Sequence, residues 1–300
     1  MTRNRGLMTA AAVPLLLLGA CAQPGAAGDP GAPGSAAPVT ERATTAPAAA
    51  DSSTLALRVE YRGGFVPAES IPSRIPLVSV YADGRALSEG PVPTIYPGPA
   101  LPNLQEIRIS QERVRELAAS AVTAGVKPGG DFGVPGVADT PSTRISVRTD
   151  QGEQVVDVMA LNEASPDDTA LTPAQHAARK RLSAWLASLT KMFADAASPP
   201  AVAYQPAKIA VLAQPYQETG DGFGGDPVKW PAADLPGGHL NEQLKINCLI
   251  VEGAAKDAVW SAAAKANQRT PWESAGKKWQ VVFRPLLPEE TGCDSLKRQA

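Results

Sequence analysis

Several groups of residues in this chain have types and spacings that could do chemistry. Ser188 and Lys191 stand in Ser188-Leu189-Thr190-Lys191, the spacing at which a lysine amine one helical turn away can activate a serine hydroxyl as a nucleophile. Ser188 falls deep inside a long helical pattern, however, and reads as part of a solvated face. Asp131-Phe132-Gly133 has the form of a magnesium-binding turn, but no glycine-rich phosphate loop and no H-R-D accompany it, so it reads as a plain turn. Asp221 and Asp226 flank Gly222-Phe223-Gly224-Gly225, with Asp234 nearby. Carboxylates on a glycine loop can hold calcium, yet this spacing does not match the EF-hand, and a surface loop is the better reading. There are two histidines, His176 and His239, too few for a histidine-based metal centre. Neither Cys248 nor Cys293 has a histidine beside it, and there is no C-x-x-C. This inventory predicts no catalytic residue, no metal site and no cofactor.

Cys21 is different, because its setting is complete. Arg3 and Arg5 form a basic start, residues 10–18 form a short apolar run, and Leu18-Gly19-Ala20 puts small residues directly before the cysteine. The arrangement resembles a bacterial lipobox. The resemblance implies a signal peptide over residues 1–20 and lipid on Cys21 as the first mature residue. The apolar run is too short for a spanning helix, which needs about 20 residues. Acyl chains contribute about 0.8 kcal/mol per buried CH₂, enough for several chains to anchor a protein stably. The expected location is therefore the extracytoplasmic face of the cell membrane. In that oxidising compartment the remaining pair, Cys248 and Cys293, is expected to form a disulfide. Closing a loop of that length is worth about 4 kcal/mol in the chain-entropy account.

Loss of the leader leaves 26 basic against 30 acidic residues, a mature net charge of −4. With no basic patch, nucleic acid is not an expected partner. Residues 21–53 hold the lipidated Cys21 and then almost only Ala, Pro, Gly, Ser and Thr, a composition that cannot bury apolar surface and predicts a disordered tether. Such a tether reaches about 30 Å.

The elements that must position the rest follow from periodicity. Leu55, Leu57, Val59 and Tyr61 alternate with Ala56, Arg58 and Glu60 in a half-buried strand that ends at Gly63-Gly64-Phe65. A strand over residues 76–82 runs into the turn signal Asp83-Gly84. The Pro-rich residues 91–102 read as an irregular crossing. Ser110 caps a helix with Val114, Leu117 and Ala121 on one face, and Gly125 stops it. Strands over 144–148 and 154–161 follow, and then Thr172-Pro173-Ala174-Gln175 starts a helix with Leu182, Trp185, Leu186 and Leu189 in a stripe.

After Pro199-Pro200 the chain reads as a strand at 208–213, a long Gly/Pro/Asp loop at 215–245, a strand at 246–251 holding Cys248, an Ala-rich helix at 253–267 and a strand at 279–284. All five Trp lie from Trp185 onward, and Trp230, in the long loop, is the one expected at the surface. The predicted fold class is α+β: a unit at 54–200 ordered β-β-α-β-β-α, then a disulfide-bearing unit at 201–300 ordered β-β-α-β.

Gly63-Gly64-Phe65, Val80-Tyr81-Ala82-Asp83-Gly84-Arg85 and Arg284-Pro285-Leu286-Leu287-Pro288 give the chain a resemblance to uncharacterised actinobacterial lipoproteins, which implies no activity. Residues 54–198 are similar in layout to emfourin-type inhibitors of bacterial metalloproteases, which begin with a comparable strand and G-G-F turn. That resemblance implies a peptidase-binding loop near Gly63, Gly64 and Phe65. Ser188-x-x-Lys191 is the nucleophile motif of penicillin-binding proteins and class A β-lactamases, although neither S-D-N nor K-T-G follows here.

The expectation is a membrane-anchored, non-enzymatic binding, scaffold or inhibitor-like protein. It would contact a cell-envelope protein or peptidase through Gly63, Gly64, Phe65 and the 91–102 segment, with Trp230 as a further surface contact. A serine hydrolase built on Ser188 and a solute-binding lipoprotein are the alternatives.

Overall fold

The computed structural model describes residues 52–195 and 198–297. The leader, Cys21 and the tether up to residue 51 lie outside the described residues. The described chain is α+β: one sheet is antiparallel throughout with helices on one face, and the other is antiparallel except for a parallel pair at its edge and carries helices on both faces.

The alternation that starts at Leu55 becomes β1 (Leu55–Gly63), with Leu57 and Val59 buried. It is an inner strand of a seven-stranded sheet with β2 (Val78–Tyr81), β3 (Arg85–Glu89), β4 (Leu104–Arg108), β5 (Pro141–Thr149), β6 (Gly152–Met159) and β7 (Val202–Ala203), in the order β6-β5-β1-β2-β3-β4-β7. One face is covered by α1 (Gln111–Ala124) and α2 (Pro173–Lys191), whose Val114, Leu117, Leu182 and Leu189 pack on Val59, Val80, Ile107 and Ile145. Helix α1 is held by the Ser110 cap and by Gly125 in the left-handed conformation. Helix α2 has a complete capping box between Thr172 and Gln175.

Three strands of this sheet fall outside the expected β-β-α-β-β-α unit: β7, which comes from the segment expected to start a second unit at residue 201 and pairs with β4, and β3 and β4, for which burial is the explanation. Ala86 and Leu87 of β3 are adjacent and both buried, one facing the helices and one facing away. In β4 the apolar residues are Leu104 and Ile107, a helical spacing by sequence. In a strand three residues apart means opposite faces, and here each face has its own core. Strands buried on both sides lose the period-two pattern.

The second sheet contains β8 (Lys208–Pro215), β9 (Val228–Lys229), β10 (Gly238–Asn241), β11 (Ile246–Glu252), β12 (Trp272–Ser274) and β13 (Lys277–Pro285), in the order β10-β11-β8-β13-β12-β9. Helix α3 (Gly253–Ala263) packs Val259 and Ala263 on one face with Trp230, Trp272, Trp279 and Phe283. The other face holds Leu212, Ile246, Leu286 and Leu296, and there Cys248 of β11 is bonded to Cys293 of α4 (Cys293–Leu296).

The described residues cluster as one compact unit, and the segment after β13 ties the sheets together. Leu287 and Tyr204 pack on Tyr81, Leu87 and Leu104, the face of the first sheet that the helices leave bare. The Tyr204 hydroxyl donates to Leu286 O at 3.0 Å, and Tyr81 donates to Glu289 Oε2 at 2.6 Å. Glu289 also pairs with Arg58, and the fully buried Arg284 pairs with Glu290 at 2.9 Å. Burial pushes the Tyr204 hydroxyl up to about 12, and the Tyr81 hydroxyl is raised for the same reason.

Candidate functional site

The end of β1 forms a groove because its two neighbours stop at different places. The ladder with β5 runs as far as Gly63↔Pro141, whereas the ladder with β2 ends at Val59↔Val78. Pro76 has no N–H to continue that ladder, and the chain before it turns away as a short 3₁₀ helix, Ala68–Ser73. Residues 60–63 therefore keep one edge without β2. Arg74 partly fills it: its guanidinium donates to Gly63 O at 2.9 Å and to Tyr61 O at 3.5 Å. The Arg74 carbonyl in turn accepts from the buried Arg284 at 3.1 Å, so the base of this side chain is fixed from below.

Gly63 and Gly64 both have positive φ (64° and 81°), which a side chain would disfavour. A Cβ at Gly64 would also stand 3.1 Å from the backbone nitrogen of Pro141. The turn is pinned by Phe65 N donating to Asp139 O at 3.0 Å, and it leaves the Phe65 ring 90 % exposed. Tyr61, Phe65, Val66, Ile75 and Pro76 give the groove apolar walls, and its volume is about 450 Å³. Its charged groups are Glu60 and Arg62, which pair with each other at 2.8 Å, together with Arg74, Glu89 and Asp139. Burial raises the Glu89 carboxyl, partly opposed by the Arg284 charge. The Tyr61 hydroxyl is raised by burial and by the negative charge of Glu163.

A second exposed patch belongs to the Pro-rich crossing. Gly98 O accepts from Gln268 N at 2.9 Å and Ala100 N donates to Ala266 O at 3.2 Å, which fixes the segment to the loop after α3. Tyr96 meets Phe223 edge-to-face at 5.4 Å, and Arg269 donates to the Tyr96 hydroxyl at 2.7 Å while contacting Thr219 and Asp221. The Asp221 carboxyl is held down first by the Phe223 N–H, then by Thr219 and Arg269. Val92, Ile95, Tyr96 and Phe223 are all exposed.

The expectation for Trp230 is corrected. It is 5 % exposed, with its Nε1–H donating to Ala233 O at 2.8 Å, and it is packed between Trp272 and Phe283. The cause is that part of the 215–245 loop is strand. Val228–Lys229 pair in parallel with β12, and Trp230 N donates to Glu273 O, which turns the indole inward. Trp230 is a core residue and not a surface contact.

The other candidates fall in structural settings. Ser188 Oγ donates back to Trp185 O at 2.7 Å on the solvent side of α2. Asp131 accepts from Gly133 N and from Gln175 Nε2, so it closes a turn onto the capping box of α2. Asp234 accepts from Ser274 Oγ at 3.2 Å, and His176 Nε2 lies 3.0 Å from Asp168 O. Among the described residues no group of three or more His, Cys, Asp or Glu is arranged to hold a metal. Nor is any helix among them long and apolar enough to cross a membrane.

Arg74, Glu89 and Asp139 are groove residues that sequence reasoning missed. Each is ordinary in its local context, and only the register of β1 against β5 and the departure of β2 bring them together. No family model, curated protein or solved structure matches this chain.

Proposed function

We propose that this chain is a lipid-anchored extracytoplasmic binding protein that holds a cell-envelope protein through the groove at the end of β1. In this reading Cys21 carries the anchor and the Ala/Pro/Gly tether sets the stand-off. The fold presents a recognition surface and performs no chemistry of its own. The observation that carries it is the distribution of exposed large apolar side chains. Seven of the ten among the described residues fall on two patches: Tyr61, Phe65 and Val66 at the groove, and Val92, Ile95, Tyr96 and Phe223 on the Pro-rich crossing. Contiguous exposed apolar groups on a stable fold mark interaction sites, whereas scattered ones do not. A peptidase is the partner class we propose, on the resemblance of the sequence of residues 54–198 to emfourin-type inhibitors.

The test is co-purification from intact membranes with the full chain. A partner retained by the native protein should be lost when Phe65→Ala and Tyr96→Ala are combined. Both side chains are exposed (90 % and 66 %), so the double variant should fold as the native chain does. An unchanged set of co-purifying proteins would refute the reading.

A further inference from the structure

The carbonyls that Arg74 takes identify the backbone groups facing the groove. In a β-strand the N–H and C=O of one residue point to the same side, and the sides alternate along the chain. Tyr61 O and Gly63 O both point at Arg74, so these two carbonyls face the edge that β2 leaves. Their spacing is the two-residue repeat that an added strand matches, and three or four extended residues span ~10–13 Å. Arg74 occupies the positions that the N–H groups of such a strand would take. Its longer bond, 3.5 Å to Tyr61 O, is at the limit of a hydrogen bond and is cheaply given up. Unpaired strand edges recruit extended chains in this way.

Charge selects among those chains. Arg62 is neutralised by Glu60, and Arg74 is engaged with carbonyls. Glu89 and Asp139 line the same groove with no ion-pair partner among the described residues. Arg74 keeps its positive charge against those neutral carbonyls, so Glu60, Glu89 and Asp139 against Arg62 and Arg74 leave one net negative charge, which rises to two once Arg74 moves out, and the side chain that best complements it is a cation.

Resting on the binding reading above, we propose that the groove takes an extended segment of the partner protein by β-strand addition to residues 61–63. A Lys or Arg of that segment is placed against Glu89, and the Arg74 guanidinium swings away.

The probes are two degenerate hexapeptide pools with blocked ends, one with Lys fixed at a central position and one with Glu there. A third pool keeps the Lys but is N-methylated at alternate residues, so that it cannot donate backbone hydrogen bonds along one edge. Binding to the full-length chain in detergent is followed by competition against a fluorescent Lys-pool peptide. The expected result is that the Glu pool competes at least about tenfold less well, a gap of ~1.4 kcal/mol, and that the methylated pool fails to compete. Glu89→Gln should weaken the Lys pool several-fold, and Arg74→Ala should strengthen it, since the placeholder is gone. No binding by either pool, equal binding by the Lys and Glu pools, unimpaired competition by the methylated pool, or weaker binding to Arg74→Ala would each overturn strand addition. Retention of a partner that depends on Phe65 would leave the broader binding reading standing in all four cases. Binding of the Lys pool only after deletion of residues 22–51 would show that the tether itself occupies the groove, and would overturn the assignment to a partner.

Discussion

Removing the Glu290 carboxylate should be among the most damaging single changes in this protein. Arg284 is fully buried, and its guanidinium has three destinations: Arg74 O, Pro285 O and Glu290 Oε1. Glu290 is 5 % exposed at its side chain and also accepts from Leu287 N at 2.7 Å. Glu290→Ala therefore strands a buried cation and a backbone donor together. Breaking a buried pair by removing one partner costs about 3–5 kcal/mol. For a chain of this size each kcal/mol moves Tm by about 2–4 °C, so the expected drop is roughly 10 °C.

The assay is urea unfolding followed by Trp fluorescence, with Glu116→Ala as the comparison. Glu116 pairs with Arg113 at 2.8 Å, but both side chains are more than half exposed, and such a pair is worth ~0.5 kcal/mol or less. Replacing Arg284 and Glu290 together by Met and Leu should restore most of the lost stability, because the desolvation cost disappears with the pair. A loss below about 1 kcal/mol for Glu290→Ala, or a double variant no better than the single one, would refute this account of the Arg284–Glu290 pair.

Four further outcomes are expected. Trp230→Ala should cost about 3–5 kcal/mol in the same unfolding assay, because the indole is core, whereas a surface tryptophan would cost almost nothing. Stability should fall as pH rises from about 10 through about 12. The Tyr204 hydroxyl is raised in the folded state, so its contribution is complete below the unfolded value near 10 and is lost as the folded group ionises; alkaline unfolding curves of the native chain and Tyr204→Phe check this. Cys21→Ala should move the chain from the membrane to the soluble fraction in a fractionation assay. Ser188→Ala should leave labelling by a fluorescent β-lactam unchanged, at background, since its hydroxyl is committed to Trp185 O.

The sequence was legible where one face of an element is wet. Leu57 and Val59 stand out because both reach the helix-side core while Arg58 between them and Glu60 after them are less buried, and both long helices carry caps whose chemistry is local. It was opaque where burial is two-sided. Adjacent Ala86 and Leu87 serve opposite cores, so β3 shows no pattern, and Leu104 and Ile107 mimic a helix for the same reason. Trp230 was misplaced because its burial depends on the pairing of Val228–Lys229 with β12, a contact that no local spacing encodes. The groove stands between these cases. The glycine pair that turns Phe65 outward is written in the sequence, but the length of open edge depends on where β2 stops, and Glu89 arrives from a strand the periodicity did not reveal.

The central claim is that the groove at Phe65 is where another protein sits. A photoactivatable crosslinker placed at residue 65 of the full chain in intact membranes tests it most directly, with the same group at Val134, another exposed apolar position (69 %) outside both patches, as the reference. The account predicts a discrete heavier species from position 65 that position 134 does not give, with its linked peptide coming from an envelope protein. Equal, diffuse labelling from both positions, or none from residue 65, would contradict it.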